Sequence, residues 1–126
     1  MYNDIIIDNF SDPAHVGDIN EPNYEYEIGN PVCGDRIRVQ INITNGLIDS
    51  ARFRAWGCAT SVATANIFCA SLEGLAPEQL AGRTSSEIEG MLGELEPSQH
   101  HCVEILQQLH HRLLSLVGKD CREVMP

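Results

Sequence analysis

The sequence predicts an α+β fold, a three-stranded antiparallel sheet packed against helices in two layers, formed by residues 1–126 as a single domain. Three observations predict it. Residues 36–43 alternate polar and apolar side chains, from Arg36 and Ile37 to Asn42 and Ile43, and lead through Asn45-Gly46 into a second strand-like run, Leu47 to Trp56, which is the pattern of a β-hairpin. Two later segments repeat apolar residues at helical spacing. The length, 126 residues, is about that of one ordinary domain.

In chain order, Ile5, Ile6, Ile7 and Phe10 among polar neighbours predict one or two helical turns over residues 3–10. Residues 11–30, with Pro13, Gly17, Pro22, Gly29 and many Asp, Asn and Glu, read as an acidic loop containing a short strand near Tyr24 to Ile28. In the hairpin, a two-residue Asn45-Gly46 turn would set Val39 beside Arg52 and Ile41 beside Ser50, apolar face against polar face. A three-residue loop with Gly46 left-handed instead pairs Val39 with Ala51 and Ile37 with Phe53. Continued, that register puts Cys33 opposite Gly57 and so near Cys58. After Gly57, the residues Cys58, Val62, Ala65, Cys69 and Leu72 form a helical stripe closed by Gly74. Pro77 to Leu92 predicts one or two short helices broken around Gly82 and Gly93. A long helix follows Pro97-Ser98, with Ser98 a candidate N-cap and Cys102, Leu106, Leu109, Leu113 and Leu116 as its stripe.

Composition narrows the function. Apolar residues are 43% and charged residues 21%, near globular norms and unlike a disordered or membrane chain. Eight basic and eighteen acidic residues give −10, and no Lys or Arg precedes Arg36. Such a surface is a poor partner for nucleic acid. The acidic N-terminus has neither a secretory signal nor a transit peptide, and no apolar run approaches the roughly 20 residues that span a bilayer, so the expectation is a soluble, cytoplasmic protein without membrane association. The five cysteines are an odd number, and in a reducing compartment they point to metal or thiol chemistry rather than a disulfide framework.

Cys33, Cys58 and Cys102 fall at a strand end and at two helix starts, where unpaired backbone N–H groups and the helix dipole favour a thiolate. Asp35 and His101 lie within two residues of them. Together they offer soft ligands, a carboxylate and an imidazole, enough for a four-coordinate metal or a cluster. Each cysteine alone also fits a small core filler, and Asp35 also fits a strand-end carboxylate paired with an Arg. Cys69, mid-stripe, reads as core; Cys121 as a loose surface thiol; His110 and His111 as solvated or partly packed; His15 as part of the acidic loop. His100 and His101 cannot be told apart by orientation, and Trp56 fits packing on the outer face of the sheet.

Pro31-Val32-Cys33-Gly34-Asp35, then Ala51-Arg52-Phe53 leading to Gly57-Cys58, then His101-Cys102, resemble in order and spacing the three cysteine motifs of the IscU/NifU-type iron-sulfur cluster assembly scaffolds. Asp8 to Gly17 resembles the N-terminal segment of that family, so the likeness spans essentially the whole chain. The short stretch between Cys58 and Cys102 and the His before Cys102 look more like the IscU branch than the zinc-containing SufU branch. The resemblance implies a scaffold, not an enzyme, that takes sulfur as persulfide from a cysteine desulfurase, takes up iron, builds a [2Fe-2S] cluster and passes it to apo-proteins. It implies Cys33, Cys58 and Cys102 as cluster ligands and sulfur acceptors, Asp35 as the aspartate that binds iron and keeps the cluster labile, and His101 as the histidine of the site. The alternative is a zinc-bound sulfur acceptor of the SufU kind using Cys33, Asp35, Cys58 and Cys102, with Zn also able to occupy the thiolates of a purified scaffold. A structural zinc protein is a third reading. Where the family has Leu-Pro-Pro-Val-Lys, this chain has Leu95-Glu96-Pro97-Ser98-Gln99, and its one Lys is Lys119, which weakens the expectation of docking by an Hsp70-type chaperone. Monomer and dimer both remain open.

Overall fold

The computed structural model describes residues 3–30 and 35–124, with the backbone alone for Asn30 and residues 118–124. The element order is α1 (Asp4–Ser11), β1 (Tyr24–Asn30), β2 (Asp35–Thr44), β3 (Leu47–Trp56), α2 (Ala59–Leu72), α3 (Pro77–Ala81), α4 (Ser85–Gly90), a 3-10 turn (Pro97–Gln99) and α5 (His101–Val124). The strands form an antiparallel sheet in the order β1-β2-β3. The expected α+β domain is the one observed. Among the described residues no helix is long and apolar enough to cross a membrane.

Alternation along the strands gives the sheet one apolar face. The register aligns Tyr26 with Val39 and Phe53, and Ile28 with Ile37 and Ala55. Ile37, Val39, Ile41, Ala51 and Phe53 are buried against Phe68 and Leu72 of α2 and Leu106, Leu109 and Leu113 of α5. The Tyr26 hydroxyl, carried into this core, donates to the Leu109 carbonyl at 2.8 Å, so its polar atom is satisfied where water cannot reach it. The opposite face carries Arg36, Arg38, Gln40, Arg52 and Arg54. The acidic loop crosses this face: Asp18 takes an ion pair from both Arg38 and Arg54, and the Ile19 N–H donates to Gln40 Oε1 at 2.7 Å. His15 and Gly17 then bond the backbone of Phe53, which covers the open edge of β3.

The hairpin register differs from the expected one. Thr44 pairs with Leu47 around a two-residue Asn45-Gly46 turn, with φ of +54° and +79° at its central residues, the left-handed pair that matches strand twist. The ladder then shifts between Asn42 and Ile43, so that Asp49 is an extra residue on β3 and Val39 pairs with Phe53 rather than Ala51. A bulge restores the match of apolar faces without giving up the favoured turn. The consequence for the site is that Asp35 meets Gly57: a Cβ built on Gly57 would overlap the Asp35 carboxylate. Cys33, expected opposite Gly57, lies outside the described residues.

Three further expectations are corrected. Helix α2 is buried on nearly every side rather than along one stripe, because it packs on β3, α1 and α5 together; Cys58 is exposed and Val62 half-buried, while Thr60, Ser61 and Thr64 are buried. Ser98 is not the cap of the last helix. It lies inside the 3-10 turn that Pro97 opens, and Gln99, itself buried, accepts from the Glu96 N–H at 3.2 Å before α5 begins at His101. His110 is buried, edge-on to Phe68 with ring centroids 4.8 Å apart, and bonds both Arg83 and the Leu106 carbonyl.

Candidate functional site

The first turn of α2 builds the site. Gly57, with φ of +148°, turns the chain from β3 into the helix through a backbone conformation that side chains disfavour. Cys58 is then the N-cap residue, extended at φ −83° and ψ 171°, and its carbonyl receives the Ser61 N–H at 3.1 Å. The Cys58 side chain makes no cap hydrogen bond to the backbone and stands exposed, at the end of the helix where the dipole favours negative charge.

Around its sulfur the structure gathers polar groups from α2 and β2. Cys58 Sγ lies 2.8 Å from Thr60 Oγ1, 3.6 Å from Ser61 Oγ and 3.6 Å from Asp35 Oδ2. Asp35, the first residue of β2, accepts from Ser61 Oγ at 2.6 Å. It is therefore tied to α2 and, among the described residues, not paired with an Arg. The neighbouring Arg36 instead reaches Glu27 at 3.3 Å and stacks on Trp56, 4.4 Å from the ring centre, so Trp56 packs on the outer face as its position suggested. From α5, His101 brings Nε2 to 3.1 Å from Thr60 Oγ1.

Cys102 lies behind this cluster, fully buried in the first turn of α5. Burial pushes its thiol pKa up; the hydroxyls of Thr64 and Thr60 pull it back down, and the nearby Cys58 pushes it up again. One hydroxyl, that of Thr60, thus stands between Cys58 and His101. His100, by contrast, is exposed and lines a separate cleft with Leu95 and Val103, which answers which imidazole faces the site. Cys69 sits in the core, and burial raises its pKa far above that of a free thiol.

Asp35, Cys58, His101 and Cys102 are therefore neighbours, as the sequence predicted, while Cys33 lies outside the described residues. Among the described residues, no three Cys, His, Asp or Glu side chains close on a metal-ion geometry. The donor set is nonetheless chemically mixed, two soft sulfurs with an oxygen and a nitrogen ligand type. Sequence reasoning missed Thr60, Ser61 and Thr64. Their signal was available: three hydroxyls interrupt the apolar residues at the start of a buried helix. Size is no guide here, because a cleft of about 770 Å³ runs between β1, α4 and α5 and touches none of the four residues. A small cavity of about 20 Å³ does adjoin Asp35 and His101, room for roughly one water molecule.

Comparison with known proteins shows the family. The family model for the NifU-like N terminal domain matches residues 1–114. The chain is 30% identical over 124 residues to the iron-sulfur cluster assembly scaffold protein IscU of Aquifex aeolicus, covering 96% of this chain and 79% of the relative. It is 31% identical over 102 residues to the scaffold protein IscU 1 of Archaeoglobus fulgidus, covering 81% of this chain and 67% of that one. Among solved structures, the N-terminal NifU-like protein of Brucella abortus superposes with a TM-score of 0.60 at 13% identity, over 89% of this chain and 79% of the other; at that identity the likeness speaks to the fold. The chain belongs to the family of NifU-like N-terminal domains and IscU-type iron-sulfur cluster assembly scaffolds.

Proposed function

We propose that this iron-sulfur cluster assembly scaffold builds a [2Fe-2S] cluster on Cys33, Cys58 and Cys102, with Asp35 and His101 as its exchangeable oxygen and nitrogen neighbours. The observation that supports this most is the exposed Cys58 thiol with Asp35 Oδ2 at 3.6 Å and Thr60 Oγ1 at 2.8 Å, the same hydroxyl that lies 3.1 Å from His101 Nε2. The cluster is cargo, so the site has to hold it and also let it go. Thiolates bind iron tightly, whereas an oxygen or nitrogen ligand exchanges more readily, and mixing them favours reversible holding.

Sulfur would arrive as a persulfide on a cysteine desulfurase. The Cys58 thiolate attacks the outer sulfur, the desulfurase thiolate leaves, and the sulfane sulfur is left on Cys58. Exposure favours Cys58 over the buried Cys102 for this step. Release would then pass the cluster to apo iron-sulfur proteins in the cytoplasm. The net charge of −10 favours protein partners with basic docking surfaces and disfavours nucleic acid. An Hsp70-type chaperone would find Leu95-Glu96-Pro97-Ser98-Gln99 a poor peptide, since Gln99 is buried and bonded to Glu96.

Anaerobic reconstitution with ferrous iron and sulfide tests the proposal. The expected result is a brown protein with the visible absorbance of a [2Fe-2S] centre that is lost on changing Cys33, Cys58 or Cys102 to Ser and retained for Cys121→Ser. A colourless protein that holds one tight zinc and takes up no cluster would contradict it and favour the SufU-type sulfur acceptor.

A further inference from the structure

We propose that Ser61 is a positioning residue of the site, holding the Asp35 carboxylate beside Cys58 and thereby setting how readily the cluster leaves; the inference rests on the scaffold reading above. Ser61 is fully buried and stands at the third position of α2, among Ala59, Ala63 and Ala65. A hydroxyl in such a place usually bonds back to the carbonyl one turn earlier. Thr64 does so, donating to the Thr60 carbonyl at 2.6 Å. Ser61 does not: its hydroxyl turns out of the helix and donates to Asp35 Oδ2 at 2.6 Å.

The carboxylate is confined from the other side too. Gly57 leaves the space that Asp35 occupies, since a Cβ there would overlap its Oδ1 and Cγ. Asp35 is the first residue of β2, where a short side chain has several rotamers to choose from. A hydrogen bond from a neutral donor to a charged acceptor favours one of them by roughly ten-fold or more. With Ser61 donating to Oδ2, that oxygen is fixed 3.6 Å from Cys58 Sγ, while Oδ1 lies over Gly57. Fixing the carboxylate there raises its chance of meeting iron at each exchange event. Ser61 Oγ also lies 3.6 Å from Cys58 Sγ, but its short bond, 2.6 Å, is the one to Asp35, and it is through Asp35 that it acts on the site.

A double-mutant cycle separates this from a packing role. Ser61→Ala, Asp35→Ala and the pair are compared with the parent by Co²⁺ titration of the apo-protein, read from its visible absorption, and by cluster transfer to an apo-ferredoxin. Ala is the better helix former, so the Ser61 variant keeps α2. The expected result is that Ser61→Ala weakens Co²⁺ binding by about five-fold, a coupling typical of contacting residues, and slows transfer less than Asp35→Ala does, and that neither effect survives when Asp35 is already Ala. Equal effects of Ser61→Ala in both backgrounds, or no effect when Asp35 is present, would overturn the proposal. A parent that binds Co²⁺ with this coupling but never assembles a cluster would leave Ser61 in its role and overturn the scaffold reading instead.

Discussion

Cys58 and Cys69 are the same side chain on one helix and live in opposite surroundings. Cys58 caps α2, exposed, with three hydroxyl or carboxylate oxygens within 3.6 Å of its sulfur. Cys69 lies fully buried further along the same helix, and burial, with Glu73 nearby, holds its thiol protonated well above the usual range. The helix does not distinguish them by pattern, since both continue a spacing of three and four. What distinguishes them is where the helix begins and what meets its first turn: Gly57 to turn the chain, Asp35 arriving from β2, and His101 and Cys102 arriving from α5. In the proposed reading the chemistry belongs to an end of the domain, and the middle of α2 supplies the packing that holds the end in place.

The largest effect expected from breaking this contrast is at Gly57. Gly57→Val places a branched side chain at φ +148° and against the Asp35 carboxylate, and should cost about 2–4 kcal/mol from backbone strain and overpacking together. Urea unfolding checks the stability, and the same variant should lose cluster even where it folds. Next, Cys69→Ser puts a hydroxyl in the apolar core and should cost about 1–3 kcal/mol, while Cys58→Ser, at the exposed cap, should stay within about 0.5 kcal/mol of the parent. Denaturant midpoints measured side by side would break the contrast if the order were reversed.

A smaller effect is the pH dependence of the packed middle. Burial, helped by the charge of Arg83 and opposed by the Leu106 carbonyl, lowers the pKa of His110 from 6.5. The folded chain therefore prefers neutral His110, and its contribution to stability is complete above 6.5 and lost as the pH falls from 6.5 through the lowered folded value. Cys69 contributes on the alkaline side: its folded pKa is raised from 9.0, so its contribution is complete below 9.0 and lost progressively above it. His110→Gln should show a shallower fall in urea midpoint between about pH 7 and pH 5 than the parent, and equal slopes would remove His110 from the acid limb. The smallest effect concerns Leu95 to Gln99. Titrated against an Hsp70-type chaperone, a peptide of this native segment should bind more weakly than one rebuilt to Leu-Pro-Pro-Val-Lys, since Glu96 and Ser98 replace an ordered Pro and an apolar contact; equal affinities would remove the segment from consideration.

Much of the fold was legible because strand alternation and helical spacing report burial directly. The hairpin shows the limit. Matching apolar faces required an even offset, and alternation told that much, but it could not tell a longer loop from a two-residue turn plus the extra Asp49, because both restore parity. The neighbours of the site followed the same division. Asp35, Cys58, His101 and Cys102 were recognisable as chemistry placed at element ends. Thr60 and Ser61 were not, because their role comes from groups on β2 and α5 that approach α2 only in three dimensions. His110 misled for a related reason: its position beside the stripe suggested solvent, but Arg83, reaching from the turn between α3 and α4, closes over it.

The most direct measurement is visible absorbance per folded chain after anaerobic reconstitution of Cys58→Ser and Cys69→Ser beside the parent, with folding normalised by circular dichroism. Cys58→Ser should fold as well as the parent and carry no stable cluster, and Cys69→Ser should fold less stably and carry the parental amount. A full cluster on Cys58→Ser, or its loss from folded Cys69→Ser alone, would contradict the assignment of the chemistry to the first turn of α2.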